Sequence, residues 1–382
     1  MKKILLINTK YREYGGEDSN FLEEAKFLSK NYKVKCLEFE NSKIGIFELI
    51  SFITRNNLKS NKILTKEINQ FKPDYVYVHN TWFKASLGIF SILKKYKIPT
   101  ILKIHNFRFD CTKSFLSSKH LDFEKFCKKC GFEGKNKIFN KYFKESYIKS
   151  FFVILYGKKY IKILKNLDLK ILVMTNHQKL YLNNLGIDNK NLTIYENPVG
   201  NKMENNLTYN PSSDYIVYAG RISDSKGVKE LIEAWTKFDC SSLSLKIIGD
   251  GDLLPKLKKI FSNLNIEFMG HLSNEKVLNL IMNSRAVVTA TKMFEGQPRL
   301  LCEASMHGVP SIFPSFGGMI EFYPDDYVFK FEQYDYEDLA KKFELLLNED
   351  ILKKTSEEVL SFMKIKLSER KMNSNFEDIL ES

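Results

Sequence analysis

Short apolar runs alternate with helix-like segments along this chain, and the alternation occurs twice. Strands that alternate with helices form parallel sheets whose faces the helices cover. We therefore predict an α/β fold of two doubly wound units in series. The predicted strands are Ile4–Asn8, Val34–Phe39, Tyr75–His79, Thr100–His105 and Ile171–Thr175, then Tyr215–Ala219, Leu243–Ile248, Ile266–Phe268, Ala286–Thr289 and Ser311–Phe313. The predicted helices are Phe21–Ser29, Ala85–Lys95, Gly227–Phe238, Leu253–Asn263, Asn274–Asn283, Pro298–His307 and Tyr336–Leu347.

The length of the chain also favours two domains, because 382 residues exceed what one ordinary core holds. Met203–Ser213 is rich in Asn, Ser and Pro and reads as a linker. We predict an N-terminal domain over 1–197 and a C-terminal domain over 198–360. Residues 361–382 are predicted to form a helical tail that packs back on the first domain.

The charge of the chain is unevenly distributed. The net charge is +13, but residues 1–196 carry 37 Lys and Arg against 18 Asp and Glu, whereas the remainder is acidic. This asymmetry points to an anionic partner for the first half, either nucleic acid, anionic lipid or a phosphorylated acceptor. Lysine-rich compositional drift is the alternative.

One segment concentrates this positive charge. Lys135–Lys170 holds ten lysines interleaved with aromatic residues. Such a segment suits a helix on an anionic membrane surface, and equally a helix whose aromatic stripe lies in the core. No run reaches the roughly 20 apolar residues that span a bilayer. The start of the chain reads as a strand, not a signal peptide. We expect a cytoplasmic protein, with peripheral contact at the inner face of the cell membrane as an open alternative.

Two loops between a strand and a helix are candidate ligand sites. Gly15 and Gly16 precede the first helix, where glycine allows close backbone approach and the helix start offers N–H groups to a phosphate. In the second half, Arg221 and Lys226 lie between a strand and a helix that starts at Gly227. A guanidinium and an ammonium at this sheet edge suit a pyrophosphate.

A third signal is the segment Phe294–Ala304, FEGQPRLLCEA. Pro298 suits the first turn of a helix, so Gly296 and Gln297 present backbone amides at its start. Glu295 stands on the loop, and Glu303 follows eight residues later in an apolar stretch. A buried carboxylate needs partners, and ribose hydroxyls would serve, as would backbone N–H groups.

Together these motifs resemble retaining glycosyltransferases of family 4, over nearly the whole chain. The resemblance rests on the spacing of Glu295 and Glu303, the two loops, and the segments Asn197–Val199, Gly249–Gly251, Phe268–Gly270 and Gly317–Glu321. It implies the GT-B architecture, two Rossmann-like domains facing across a cleft. It also implies a nucleotide-sugar donor, with a UDP- or GDP-linked hexose or N-acetylhexosamine. The acceptor would be a saccharide or polyprenyl-linked saccharide in cell-surface polysaccharide biosynthesis, such as lipopolysaccharide or capsule.

The resemblance implies roles for single residues. Arg221 and Lys226 bind the donor diphosphate, Glu303 binds the ribose, Glu295 lies at the donor sugar as a catalytic residue, and Gly16 approaches the phosphates. His105 is the second catalytic candidate, because Asn106 and Arg108 follow it as in the family's His-Asn-x-Arg pattern. These residues and His79 are predicted to line the acceptor side.

No cofactor or metal is predicted to be required. Asp250-Gly251-Asp252 reads as a glycine turn after a strand, not as a metal motif. Cys111, Cys127 and Cys130 have one zinc-like spacing but lack an established fourth ligand. The cysteines Cys36, Cys240 and Cys302 lie in apolar runs and are predicted to be buried, reduced thiols.

Three other functions fit parts of the sequence. A nucleotide-sugar epimerase of GT-B-like fold would share the diphosphate site. A nucleic-acid-binding protein would use the basic first half, but no recognised nucleic-acid-binding motif is present, so nucleic acid is not an expected partner. A catalytically silent partner subunit is disfavoured by the intact set of Glu295, Glu303, Arg221 and Lys226.

Overall fold

The computed structural model describes residues 1–10, 16–41, 46–106, 147–199, 209–210, 212–238, 242–262 and 265–382. Contacts divide the chain into two compact units. The first comprises Met1–Pro198 with Met372–Ser382, and the second comprises Val199–Lys371.

The first unit is built on a six-stranded parallel sheet in the order β2-β1-β3-β4-β5-β6. Its strands are β1 Lys3–Lys10, β2 Lys33–Glu40, β3 Tyr75–Val78, β4 Thr100–Lys103, β5 Lys170–Val173 and β6 Leu192–Ile194. Ile4 pairs with Val34 on one side and Tyr75 on the other. Ile4 to Ile7 are fully buried, because both faces of a parallel sheet are covered.

In the described part of the first unit, six helices precede the second unit in the chain. They are α1 Gly16–Leu28, α2 Ile46–Thr54, α3 Leu58–Phe71, α4 Gly88–Tyr96, α5 Tyr147–Asn166 and α6 Asn176–Asn184. The side chain of Asn57 caps α3 by accepting from the backbone N–H groups of Lys59 and Ser60, each at 3.1 Å.

The second unit has its own six-stranded parallel sheet, in the order β12-β11-β10-β7-β8-β9. Its strands are β7 Tyr215–Ala219, β8 Ser244–Ile248, β9 Ile266–Gly270, β10 Ala286–Val288, β11 Ser311–Pro314 and β12 Lys330–Phe331. Its helices are α7 Val228–Lys237, α8 Leu254–Ile260, α9 Asn274–Met282, α10 Arg299–Met306, α11 Tyr336–Glu344 and α12 Glu349–Lys366. In α7 the buried positions 228, 231, 232 and 235 follow helical spacing and form the face toward the core.

The last helix, α13 Glu369–Glu381, contributes to the first unit. Its Phe376 is fully buried and packs against Tyr77 and Tyr195. The hydroxyl of Tyr75 donates to the carbonyl of Leu380 at 2.8 Å, and Lys170 Nζ donates to that of Ile379 at 2.6 Å. The boundary predicted at residue 360 is wrong, because α12 continues through it with Val359 and Met363 buried in the second core.

Two further sequence predictions are corrected. Each sheet has six strands instead of five, because β6 and β12 span only three and two residues and carry no apolar run long enough to signal a strand. Cys36 is exposed, since β2 is an edge strand whose residues are mostly accessible, whereas Cys302 is buried as predicted. Cys240 lies outside the described residues. Among the described helices, none is both long and apolar enough to cross a bilayer.

In each sheet the chain reverses its direction of winding at one point. This switch point lies between β1 and β3 in the first unit and between β7 and β10 in the second. In open parallel sheets, ligands bind beyond the carboxyl ends of the strands that flank such a point. The loops that follow β3, β7 and β10 are therefore the places to search for a site.

Candidate functional site

In the second unit, the loops after β7 and β10 meet at the switch point. Lys226 follows β7 in a short 3₁₀ turn, Asp224–Lys226. Its ammonium forms an ion pair with the carboxylate of Glu295, which stands on the loop between β10 and α10. Both side chains are about 30% exposed, at 31% and 29%. The structure thus brings together a cation and a carboxylate that the sequence predicts for one donor site.

Several contacts hold Glu295 in place. Thr291 Oγ1 donates to its carboxylate at 3.3 Å, and the backbone N–H of Gly318 donates to its carbonyl at 3.2 Å. Phe294 packs on Phe316, with ring centroids 4.2 Å apart. The carboxylate is therefore positioned from both sides of its loop.

Lys292 ties the two loops together. Its backbone N–H donates to the carbonyl of Ser225 at 3.0 Å, and its ammonium pairs with Asp224 at 3.0 Å and Glu230 at 2.6 Å. Burial lowers the pKa of Lys292, but the hydrogen bonds to Glu230 and Asp224 outweigh burial and raise it. This lysine therefore holds the turn that carries Lys226 against the loop that carries Glu295.

Arg221 is exposed on the same loop. The buried hydroxyl of Tyr218 donates to its carbonyl at 2.9 Å, and the N–H of Ile222 donates to the carbonyl of Asp250 at 2.8 Å. Burial, and then the negative charge of Glu295, raise the pKa of Tyr218, so it stays a protonated donor. The backbone around Arg221 is therefore anchored while its guanidinium side is accessible.

The remaining residues of the third motif surround the start of α10. Gly296 and Gln297 are buried. Pro298 is the cap residue before α10, not its first helical residue, because its carbonyl accepts from Cys302 at 3.0 Å while its own backbone angles are non-helical. Glu303 accepts from Arg299 Nε at 2.8 Å and is 14% exposed, so a neighbouring cation stabilises this carboxylate. Its predicted ribose contact stays a prediction.

Two glycines of the second unit have a left-handed backbone conformation but differ in how closely other atoms approach them. Gly227 has φ +65°, and a Cβ there would lie 1.9 Å from the carbonyl oxygen of Ala290. Gly270 has a similar φ of +68° but no atom within 4 Å of the same position. The two glycines therefore share a backbone conformation and differ in the space around them.

This difference predicts the outcome of a matched pair of substitutions. Gly270→Ala should cost only the left-handed strain, about 1–2 kcal/mol. Gly227→Ala should lower the free energy of unfolding by roughly 1–3 kcal/mol more, because the new methyl group overlaps backbone that cannot rotate away. Urea unfolding followed by the fluorescence of Trp235, in a Trp82→Phe background, reports on the second unit alone. Equal losses for the two variants would contradict the packing argument.

In the first unit, the described residues form a pocket with a cavity volume of about 50 Å³ at the carboxyl ends of β3 and β4. Its lining is aromatic, amide and charged: Glu17, His79, Asn80, Thr81, Trp82, Lys103, Ile104, His105, Asn106, Tyr156 and Tyr160. His79 directly follows β3, while His105 lies two residues beyond β4. Nδ1 of His79 lies 3.1 Å from Nε2 of His105, so the structure brings these two predicted residues together.

A buried charge network lies beneath the histidine pair. Glu24 on α1 and Lys103 at the end of β4 are both fully buried and form an ion pair at 3.0 Å. Neither residue is among those predicted from the sequence. A signal was present, since a lysine between Leu102 and Ile104 in a buried strand requires an anionic partner.

The surroundings keep both histidines neutral. Burial, and then His105 and Lys103, lower the pKa of His79 well below its ordinary value. Burial and the Lys103 ammonium lower the pKa of His105 to about 3. Neutral imidazoles donate through one nitrogen and accept through the other, which suits hydrogen bonds to hydroxyl groups.

These depressed pKa values predict a pH dependence of stability. An unfolded histidine takes up a proton near pH 6.5, whereas His79 and His105 in the folded state do not, so stability is lost as the pH falls through 6.5. From pH 7.5 to 5.5 the pair should lower the free energy of unfolding by about 2.7 kcal/mol.

Urea unfolding at the two pH values measures this effect, followed by Trp82 fluorescence in a Trp235→Phe background. The control is the double variant His79→Gln/His105→Asn, which keeps all other titrating groups. We expect its pH dependence to be shallower by that amount. The same pH dependence in both proteins would contradict the assignment.

The predicted residues at the start of α1 are only partly described. Gly16 is the first residue of α1, and a Cβ there would meet nothing within 4 Å. Asn106 donates from Nδ2 to Glu17 at 2.7 Å, which places it beside this helix start. Gly15, Arg108 and the three cysteines Cys111, Cys127 and Cys130 lie outside the described residues. Within the described ranges, no cluster of three or more His, Cys, Asp or Glu side chains is arranged to hold a metal.

Comparison with known proteins defines the class of this fold. Residues 201–359 match the family described as Glycosyl transferases group 1, so the second unit contains a domain of this type. The solved structure of Anabaena HepE in complex with UDP and glucose is similar over 100% of both chains, with a TM-score of 0.71 and 14% identity. Sucrose-phosphate synthase from Thermosynechococcus elongatus is similar to the same extent, with a TM-score of 0.71 and 13% identity. These similarities confirm the predicted GT-B fold of two parallel-sheet α/β domains.

One curated relative is closer in sequence. The amylovoran biosynthesis glycosyltransferase AmsD of Erwinia amylovora is 28% identical over 167 residues, which cover 41% of this chain and 46% of AmsD. The match therefore spans a little under half the length of that protein.

Proposed function

We propose that this protein is a retaining glycosyltransferase of family 4. The observation that carries the proposal is the pairing of Lys226 with Glu295 at the switch point of the second unit. An ammonium held beside a carboxylate, with Arg221 accessible on the same loop, suits a ligand that joins an anionic diphosphate to a polyhydroxy sugar. The group 1 domain match and the similarity to glycosyltransferases such as AmsD support this reading.

The donor is a UDP- or GDP-linked hexose or N-acetylhexosamine. Lys226 and Arg221 bind its diphosphate together with the backbone N–H groups of Gly296 and Gln297, while Pro298, which has no N–H, fixes the backbone that follows them. Glu303 binds the ribose. Gly16 supports a close phosphate approach, because none of the described residues fills the space where its side chain would lie. The complex of HepE with UDP supports a uridine nucleotide as the first choice.

The chemistry follows from the distribution of charge. The bond between the anomeric carbon and the diphosphate oxygen breaks, and the diphosphate departs with the electron pair, stabilised by the cations of the loop after β7. The acceptor hydroxyl forms its bond from the same face and gives its proton to the departing diphosphate. Glu295 stabilises the positive charge that develops on the sugar ring. No metal or cofactor takes part in this scheme.

The pocket of the first unit holds the acceptor. His79, His105 and Asn106 line it, and Arg108 is assigned with them from the sequence pattern alone. Neutral imidazoles, an amide and aromatic rings are the groups that proteins use to bind sugar hydroxyls and faces. We assign the acceptor as a saccharide or polyprenyl-linked saccharide of a cell-surface polysaccharide. The description of AmsD as an amylovoran biosynthesis glycosyltransferase supports this class.

A nucleotide-binding panel tests the donor site. Thermal unfolding is measured with UDP, GDP, UDP-sugars, GDP-sugars and inorganic pyrophosphate. A ligand at 100 times its Kd should stabilise the wild type by about 2.7 kcal/mol. We expect Lys226→Ala to weaken stabilisation by both pyrophosphate and the nucleotide. Glu303→Ala should retain the pyrophosphate effect and weaken only the nucleotide effect. Absence of any nucleotide effect on the wild type would refute the proposal, and product analysis separates transfer from epimerisation.

Peripheral attachment at the cytoplasmic face of the membrane belongs to this proposal. On α5, Tyr147, Ile148 and Phe151 are exposed, whereas Tyr156 is buried. Four lysines follow on the same helix, three of them exposed: Lys158, Lys159, Lys162 and the partly buried Lys165. Flotation with vesicles that contain anionic lipid should weaken when these four are changed to glutamine, since each basic residue near the surface is worth about 1 kcal/mol. Unchanged flotation would refute this surface.

A further inference from the structure

The carboxylate of Glu24 is the centre of a buried network that the proposed chemistry does not use. Its Oε1 accepts from the hydroxyl of Tyr77 at 2.6 Å and from Lys103 Nζ at 3.2 Å, while Oε2 accepts from the same lysine at 3.0 Å. Lys103 also donates to the carbonyl of Glu196 at 3.1 Å and lies over the ring of Tyr195. Both charges are therefore compensated and fixed in one geometry.

One side of this carboxylate faces His79. Nε2 of His79 lies 4.0 Å from Oε2 of Glu24, too far for a hydrogen bond but close enough for attraction between an N–H and a carboxylate. A lone pair on that nitrogen would instead face the negative charge. The carboxylate therefore favours the tautomer of His79 that carries its proton on Nε2.

The tautomer of His79 determines that of His105. With the proton on Nε2, His79 Nδ1 has only a lone pair, so it accepts the 3.1 Å hydrogen bond from Nε2–H of His105. The remaining nitrogen of His105, Nδ1, then carries a lone pair as well. Among the residues that the structure describes, this Nδ1 has no hydrogen-bond partner, although it is buried.

We propose that Glu24 is a positioning residue, which acts through His79 to hold His105 with Nδ1 as a hydrogen-bond acceptor for a hydroxyl group of a bound saccharide. A relay of one carboxylate and two imidazoles thus gives the pocket a hydroxyl acceptor of fixed polarity. The tautomer assignment stands on the geometry of the first unit alone. The saccharide as ligand rests on the proposed function.

The composition of the pocket supports a polyhydroxy ligand. Asn80 and Asn106 line it with Glu17, and all three side chains bear oxygen atoms that accept hydrogen bonds. Trp82 and Tyr156 add aromatic surface on which the apolar face of a sugar ring packs. Both imidazoles stay neutral because burial and Lys103 lower their pKa values, so His105 Nδ1 remains free to accept.

Nitrogen NMR on protein labelled with ¹⁵N-histidine tests the tautomers without any need for activity. The protein has six histidines, and His79→Gln and His105→Asn assign the two that matter. We expect both imidazoles of the wild type to be protonated on Nε2 and unprotonated on Nδ1 at pH 7.5. A proton on Nδ1 of His105, or a doubly protonated ring, would overturn the proposal.

A paired variant tests the role of Glu24. In Glu24→Gln/Lys103→Met both buried charges are removed together, so neither is left uncompensated. We expect the double variant to show a mixed population of His79 tautomers, because the neutral amide at position 24 can present either its carbonyl oxygen or its NH₂ group to Nε2. Retention of a pure Nε2–H form would show that Glu24 does not set the tautomer and would overturn its positioning role.

Kinetics test the ligand. Asparagine places an oxygen near the position of Nδ1, and glutamine places its amide near Nε2, so His105→Asn keeps the proposed acceptor and His105→Gln loses it. With the donor that the nucleotide panel identifies, we expect kcat/KM to fall at least tenfold further in His105→Gln than in His105→Asn, which corresponds to one hydrogen bond of about 1.4 kcal/mol. Equal losses would overturn the hydroxyl contact. If the wild type transfers no sugar, the proposed function is refuted, and so is the assignment of a saccharide hydroxyl as the ligand of His105. The NMR experiment still determines the tautomers in that case.

Discussion

Replacement of Lys226 by alanine is expected to lower kcat for sugar transfer by about 10²–10³-fold, the cost of one preorganised donor to a developing charge. In the proposed reaction the departing diphosphate gains negative charge as its bond to the sugar breaks, and Lys226 is the residue assigned to stabilise that charge. The ion pair with Glu295 fixes the ammonium of Lys226, and Lys292 anchors the turn that carries it. Initial rates with saturating donor, as identified by the nucleotide panel, measure the effect.

The matched control is Lys229→Ala. Lys229 lies three residues further along on α7, is exposed, and pairs with Glu233 on the same helix at 2.9 Å. It removes the same charge and the same side chain, so the net charge and the size of the truncation are equal. We expect less than a twofold change in kcat, because exposed pairs of this kind contribute little. If Lys226→Ala lowers kcat no more than Lys229→Ala does, Lys226 has no role in the reaction.

Replacement of Lys103 by methionine should destabilise the first unit by about 3–5 kcal/mol, since it leaves a fully buried carboxylate without its cation. Methionine matches the length of the lysine stem, so packing loss is small and the unpaired charge of Glu24 dominates. Urea unfolding followed by Trp82 fluorescence, in a Trp235→Phe background, measures the loss for this unit.

Two controls define the cause of that loss. Lys94→Met makes the same change at an exposed position of α4 and should alter stability by less than about 0.5 kcal/mol. Glu24→Gln/Lys103→Met removes both charges and should recover a large part of the stability lost in Lys103→Met. If the double variant is as unstable as the single one, the uncompensated charge is not the cause.

The sequence alone was sufficient for the architecture, because period and length of the apolar runs reflect the burial of parallel strands. It failed where an element is too short to bury a run, as at β12, and where a helix crosses a proposed boundary without a break, as α12 does at residue 360. Both failures concern features that only packing against the rest of the fold determines.

The candidate site shows the same division. Local residue types were enough to predict the motif around Glu295 and the loop that carries Lys226. Their direct contact was not predictable in this way, because it joins positions 69 residues apart and depends on the strand order of the sheet. Glu24 and Lys103 are 79 residues apart in the sequence. The residues around Glu24 form no recognisable motif, so the sequence does not distinguish this glutamate from the others. Their pairing could be found only once the fold placed α1 over β4.

The position of α13 has a consequence for the order in which the protein acquires its structure during synthesis. Residues 372–382 supply Phe376 and its apolar neighbours to the core of the first unit, yet the ribosome makes them only after the entire second unit. Until then, the aromatic surface formed by Tyr32, Tyr77 and Tyr195 lacks its cover. A nascent chain that already contains residues 1–198 is therefore still an unfinished domain, and a premature stop codon before α13 would impair the half of the protein that was translated first.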